Sequence, residues 1–291
     1  MTPDNRFIGL GKDFWAHVRS ISEYIGYTHR GTSEIRSYTI EEQCQALATL
    51  GLATDHLVNA NGTPSTFAHS LVAYFRHRAT ILNKTVRSLL MNEREASKLF
   101  AKTRLGLRST IPVPMNKQKG SKRKPAYLTG MVNMIIDHYR GCFPCDFDPR
   151  TLTCITRNNK PLRTLARRVD GAFPSTINPI ALWEIKEYYY TTTFGSRVAD
   201  GVYETLLDGV ELEELQVHNN IRILHYLILD AHYTWWVCGK SYLCRIVDML
   251  HMGLVDEVLV GREVVTRLPV LVKEWRKLAA LRVPQVQSRK V

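Results

Sequence analysis

Cysteine is scarce. Six in 291 residues are too few for a disulfide-stapled scaffold. Long apolar runs are missing as well: even Ile221 to Val237 carries His225, Asp230 and His232, well short of the roughly 18 uninterrupted apolar residues a membrane span needs. The opening MTPDNRFIGLGKDFW has no basic start followed by about 7–15 apolar residues, so no secretory signal is read there. These absences argue for a soluble chain in a reducing, cytoplasmic setting with free thiols and no membrane partner. Acidic charge is in deficit, 27 Asp and Glu against 39 Lys and Arg, leaving a net charge of +12. Such a surplus favours a polyanionic partner such as nucleic acid or a membrane surface, and charge alone does not choose between them. Repeats are absent, and 45% hydrophobic with 23% charged residues excludes disordered, collagenous and coiled-coil chains.

What is present divides the chain into four. Residues 1–107 are helical in rhythm, with Phe14, Val18, Ile21 and Ile25 spaced by three and four. Thr39 ahead of Glu41 and Glu42 starts a helix that stops at Gly51, and further helices begin near Ser65 and Thr85. Residues 108–125 form a basic linker or loop. From Lys102 to Lys124 there are eight bases (Lys102, Arg104, Arg108, Lys117, Lys119, Lys122, Arg123, Lys124) and no acid, and Pro112, Pro114, Gly120 and Pro125 break regular structure. Residues 126–265 mix classes: a helix at 127–139, strands at 152–156, 162–169, 180–188 and 221–230, a helical stretch at 196–207, a helix at 241–252 and a strand at 255–260. A C-terminal helix and tail occupy 266–291. The fold class expected is α/β or α+β, a mixed central sheet flanked by helices behind a helical amino-terminal region.

The sharpest local signal is Arg168-Val169-Asp170-Gly171 at the end of one expected strand and Trp183-Glu184-Ile185-Lys186 within the next. Alternation puts Glu184 and Lys186 on one face and Trp183 and Ile185 on the other. If the two strands pair across the thirteen residues between Asp170 and Glu184, both carboxylates converge near the sheet end. Two hard oxygen ligands with open positions suit Mg²⁺. An E-x-K triplet on an exposed strand is often a plain ion pair worth under about 1 kcal/mol. Here Leu182, Trp183 and Ile185 mark an interior strand, where charges need partners or a metal.

This arrangement resembles the PD-(D/E)XK nuclease superfamily, most of all its type II restriction endonucleases, in the motif and in the element order from Tyr127 to Gly261. Val169 stands where the family name has proline. The resemblance implies a restriction-endonuclease-like core and Mg²⁺-dependent hydrolysis of double-stranded DNA. Asp170, Glu184 and the Ile185 carbonyl would hold the metal, with Lys186 orienting the attacking water. Asp137 stands where many members carry a further helix acid. It also implies a homodimer matched to a palindromic site. Lys117, Lys119, Lys122, Arg123, Lys124, Arg167, Arg168 and Lys240 are the bases expected to hold phosphates, and helices near Thr39–Leu50 or Ser65–Ala79 are candidates to read bases. A repair or junction-resolving nuclease with the same core, and a DNA-binding protein without catalysis, are the alternatives.

Other features carry less. His225 and His232 fit no common ligand spacing. Gly239-Lys240-Ser241 lacks the upstream glycine of a P-loop, which excludes that nucleotide triphosphatase motif. Cys142 and Cys145, with His138 and Cys154, offer four zinc ligands within seventeen residues but a single CxxC, so structural zinc is set aside in favour of free thiols. Asp200, Glu204, Asp208, Glu211, Glu213 and Glu214, with no base among them, read as a solvated helix face, or as a surface turned from DNA or meeting a basic patch on another subunit.

Overall fold

The computed structural model describes all residues except 30, 31, 33, 117–119, 121, 122, 191–194 and 283–291. Helix α1 (Lys12–Ile25) turns Phe14, Trp15, Val18 and Ile21 inward at the three-and-four spacing of its sequence. Helix α2 (Ile40–Thr49) starts under a reciprocal cap, the Thr39 hydroxyl accepting from Glu42 N–H while the Glu42 carboxylate accepts from Thr39 N–H. Ser65 caps α3 (Thr66–Thr80), which widens into a π-turn at Ile81–Val86 and ends in α4 (Arg87–Leu89). These helices close on a core that includes Trp15 edge-on to Tyr74 at 5.1 Å. Helix α5 (Glu93–Leu107) packs elsewhere: Ala96 and Phe100 join the core of α6 (Tyr127–Tyr139).

The second region is a mixed α+β fold. Strands β1 (Asp146–Phe147), β4 (Gly171–Phe173), β5 (Ala181–Glu187), β6 (Leu224–Asp230) and β7 (Glu257–Val260) form one sheet in that order, antiparallel through β1, β4 and β5 and parallel from β5 to β7. Helix α7 (Ser196–Asn219) makes the crossover between β5 and β6. Helices α8 (Lys240–His251) and α9 (Val264–Arg282) flank β7 in sequence. One sheet face, with Trp183, Ile185, Tyr226 and Ile228, packs on α6 and α9, where Trp183 stacks on Trp275 at 5.6 Å and 9°. The other face, with Leu182, Leu227 and Leu229, packs on α7 and α8. Gly171 is required for this packing: a Cβ there would lie 2.1 Å from the Trp183 indole.

Two expectations are corrected. The single strand expected over 162–169 is not one: β2 (Cys154–Arg157) and β3 (Lys160–Thr164) form a separate hairpin, turned by Asn158 and Asn159 at φ 51° and 61°. The chain then bends so that Leu165 and Val169 both point inward, four residues apart. Asp170 therefore enters β4 rather than ending a long strand. Helix α7 also runs twelve residues beyond the expected 207, ending at Asn219 with Asn220 left-handed. Two of its acids, Asp208 and Glu211, are buried.

The amino-terminal helices dock on α8 through buried charge. Arg78 Nη1 donates to both Asp248 carboxylate oxygens at 3.1 Å, and Tyr74 Oη donates to the same carboxylate at 2.5 Å.

Candidate active site

Antiparallel pairing of Gly171 with Trp183, continued by one residue, sets Asp170 opposite Glu184. The two acids are tied through each other's backbone: Ile185 N–H donates to Asp170 Oδ2 at 2.7 Å, and Asp170 N–H donates to Glu184 Oε1 at 3.2 Å. On the same face of β5, Lys186 Nζ donates to Glu184 Oε2 at 2.9 Å. The three residues chosen from sequence thus meet on the central strand β5, beside the start of β4, and Ile185 lies between Glu184 and Lys186 in the chain.

Helix α7 brings two more acids that sequence reading had assigned to solvent. Lys186 Nζ reaches Glu204 Oε2 at 2.8 Å. Arg167 places its two Nη atoms 3.0 Å from the two oxygens of Glu184 and reaches Glu204 at 3.3 Å and Asp208 at 2.5 Å. One turn on, Arg163 pairs with Glu211 and Glu214, at 3.2 and 2.6 Å, and Ala166 N–H donates to Glu211 at 3.0 Å. The reading of this acid run as a solvated face holds for Asp200, Glu213 and Glu214, which are exposed, and is corrected for the rest: positions 204, 208 and 211 recur at helical spacing and grip the segment leading into Asp170. That spacing was the available signal. Gly201 allows the close approach, since a Cβ there would lie 2.8 Å from Tyr188 Oη and 3.1 Å from Lys186 Cδ.

Four carboxylates (Asp170, Glu184, Glu204, Asp208) face two cations (Arg167, Lys186), so negative charge is in excess. Burial pushes the Glu184 carboxyl up, but Lys186 and Arg167 outweigh it and hold the group below its ordinary value. Burial likewise depresses Lys186, and Glu184 and Asp170 reverse this and raise it. Asp208 bears the excess: burial and the neighbouring Glu184 charge push it up to about 7 despite Arg167. Its Oδ1 is buried without a hydrogen-bond partner. The orphaned Asp208 oxygen and the surplus negative charge suit a hard divalent cation; Asp170, Glu184 and the Ile185 carbonyl would hold it, with Glu184 exchanging its Arg167 contacts for the metal. Among the described residues no three His, Cys, Asp or Glu side chains form a ready metal cage, and the Arg167 fork covers both Glu184 oxygens.

The remaining candidates lie apart from this cluster or outside the described residues. Asp137 pairs with Arg140 at 3.0 Å on α6, across the sheet from Glu184. Arg168 is exposed. Lys240 lies over the Trp236 ring at 5.3 Å, which Arg87 also approaches at 5.5 Å. Within the basic segment Asn116 N–H donates to Lys124 O at 2.9 Å. Arg123 is exposed, while Lys124 pairs with Glu93 at 2.7 Å and lies over Tyr190, four residues beyond Lys186. Lys117, Lys119 and Lys122 fall outside the described residues. His225 Nδ1 donates to Leu254 O at 2.8 Å, and burial lowers its pKa. The CxxC thiols are free; Cys145 is engaged with Ala172 O at 3.6 Å, and Cys142 is exposed.

A model of a family described as a domain of unknown function, DUF7687, matches residues 91–275. The chain belongs to the DUF7687 family. That match spans the sheet, helices α6 to α8, the first two-thirds of α9 and every residue of the carboxylate cluster. A second model, the domain of unknown function DUF7690, matches residues 1–85, and the border between the two precedes α5. No curated protein and no solved structure matches the chain. Among the described residues no helix is long and apolar enough to cross a membrane.

Proposed function

We propose that this chain is a divalent-metal-dependent endonuclease that hydrolyses phosphodiester bonds of double-stranded DNA in the cytoplasm, two copies acting on one palindromic site. The observation that supports it best is the meeting of Asp170, Glu184 and Lys186 on the central strand of the sheet and the start of its neighbour, the acids tied by 2.7 and 3.2 Å backbone bonds and the amine 2.9 Å from Glu184. Mg²⁺ at this point would polarise the scissile phosphate and lower the pKa of a bound water. Lys186 supplies fixed positive charge where the phosphoryl oxygens gain negative charge. Glu204 holds Lys186 and, with Asp208, holds Arg167, so α7 positions both cations. The bases at Lys117, Lys119, Lys122, Arg123, Lys124 and Arg168 would hold backbone phosphates, an affinity that falls steeply with salt.

Supercoiled plasmid incubated with the purified chain in Mg²⁺, Mn²⁺ or EDTA tests this directly. Cleavage is expected with either metal and not with EDTA, and Asp170→Asn and Lys186→Met should each reduce it by about 10²-fold or more. Cutting by either variant at the native rate, or no cutting of any duplex with either metal, overturns the reading.

A further inference from the structure

A cavity of about 690 Å³ opens between α1, α7 and α8, within the roughly 300–1,000 Å³ range of ligand sites. It lies on the other side of α7 from Lys186. Tyr203, which lines it, is the residue before Glu204.

Three tyrosines line the cavity, and two of them keep half their surface in solvent, Tyr24 at 48% and Tyr203 at 50%. Open aromatic faces around a concavity mark a place where flat rings stack. Two arginines accompany them. Arg245 is already held in position, its guanidinium donating to Tyr203 Oη at 2.8 Å and Glu23 Oε2 at 3.0 Å. Arg19 is exposed and, among the described residues, donates only to the Met252 sulfur at 3.5 Å, a weak acceptor that leaves its charge uncompensated there. Glu23 spends one oxygen on Arg245 and Tyr27, so the other is left to accept from an amine.

Stacking faces, an unneutralised guanidinium and one carboxylate acceptor together describe a partner with a planar heteroaromatic ring, an attached anion and a ring-edge donor. We infer that this cavity is a nucleotide-binding site, taking the base between Tyr24 and Tyr203 and the phosphate at Arg19. An acyl chain would leave both arginines and Glu23 facing hydrocarbon, at a cost that argues against it. The base comes either from a free nucleotide or from an unpaired position of a nucleic acid, and base stacking on an aromatic ring is worth about 1–3 kcal/mol in either case.

The full chain is titrated in EDTA with each of AMP, GMP, CMP and UMP by calorimetry, and with a fluorescein-labelled single-stranded DNA 12-mer by anisotropy. EDTA keeps the measurement independent of any cleavage. Saturable binding of a mononucleotide that weakens at least tenfold in both Tyr203→Ala and Arg19→Ala supports a free-nucleotide site. Binding confined to the oligonucleotide, with the same loss in both variants, supports capture of a base from a strand. Both side chains are at the surface, and unchanged thermal melts check that the variants fold. No saturable binding of either probe, binding undiminished in the variants, or preferential binding of dodecanoate overturns the assignment.

Discussion

Glu184 and Lys186 are both buried, and the structure states what their bond is worth. At 2.9 Å and an effective dielectric of about 20, the two charges attract by about 6 kcal/mol, most of which desolvation offsets. Glu184→Gln keeps the shape and removes the charge. Breaking a buried pair costs about 3–5 kcal/mol when the partner is stranded. Here Arg167 keeps Asp208 and Glu204, and Lys186 keeps Glu204, so the expected loss lies near the bottom of that range, about 3 kcal/mol. Lys186→Met leaves Glu184 in the Arg167 fork and should cost about 1–2 kcal/mol. The double variant removes both charges together, and its loss should fall short of the sum of the singles by about 1–3 kcal/mol. Urea unfolding at pH 7, followed by tryptophan fluorescence with the slope m checked for constancy, measures all three. Additive losses within about 0.5 kcal/mol, or a Glu184→Gln variant as stable as the native chain, would refute the reasoning.

Asp230 is a second electrostatic reporter. Burial pushes its carboxyl up to about 7, against hydrogen bonds from Met91 N–H and Tyr189 Oη and with Glu187 nearby adding to the rise. The folded value lies above the unfolded value of about 3.9, so its contribution is fully present below that value and is lost as pH rises through about 7. Thermal melts from pH 5 to 8 should fall for the native chain and fall less for Asp230→Asn; parallel curves would contradict this. Gly201→Ala should change stability by under about 1 kcal/mol, because better helix propensity offsets crowding, while its Cβ displaces the Lys186 stem and lowers plasmid cleavage. Asp248→Ala strands Arg78 in the interior and should cost about 3–5 kcal/mol, with limited proteolysis showing the amino-terminal helices released first.

Local signals were legible where local physics decides. The helix expected over 127–139 is α6 as found, and the Thr39 hydroxyl starts α2 as its acids suggested. The two-residue alternation along β5 put Glu184 and Lys186 on one face without knowledge of any neighbour. Asp170 was placed beside them, though on the wrong end of its strand, because nothing local showed the inward turns of Leu165 and Val169. The role of α7 was illegible for the same reason. An acidic run looks solvated unless the bases that neutralise it are known to lie opposite, and Arg163 and Arg167 lie some forty residues earlier, across a hairpin. Loop closure, not propensity, brings them together.

The two matched segments meet where Arg78 and Tyr74 converge on Asp248. A greasy seat alone would accept the amino-terminal helices at many rotational settings with little difference in energy. A nearly buried carboxylate that must receive an arginine and a tyrosine at once accepts one. Because Asp248 also floors the tyrosine-lined hollow, that single setting fixes the hollow's width before any guest arrives, and a visitor pays no entropy to assemble the walls.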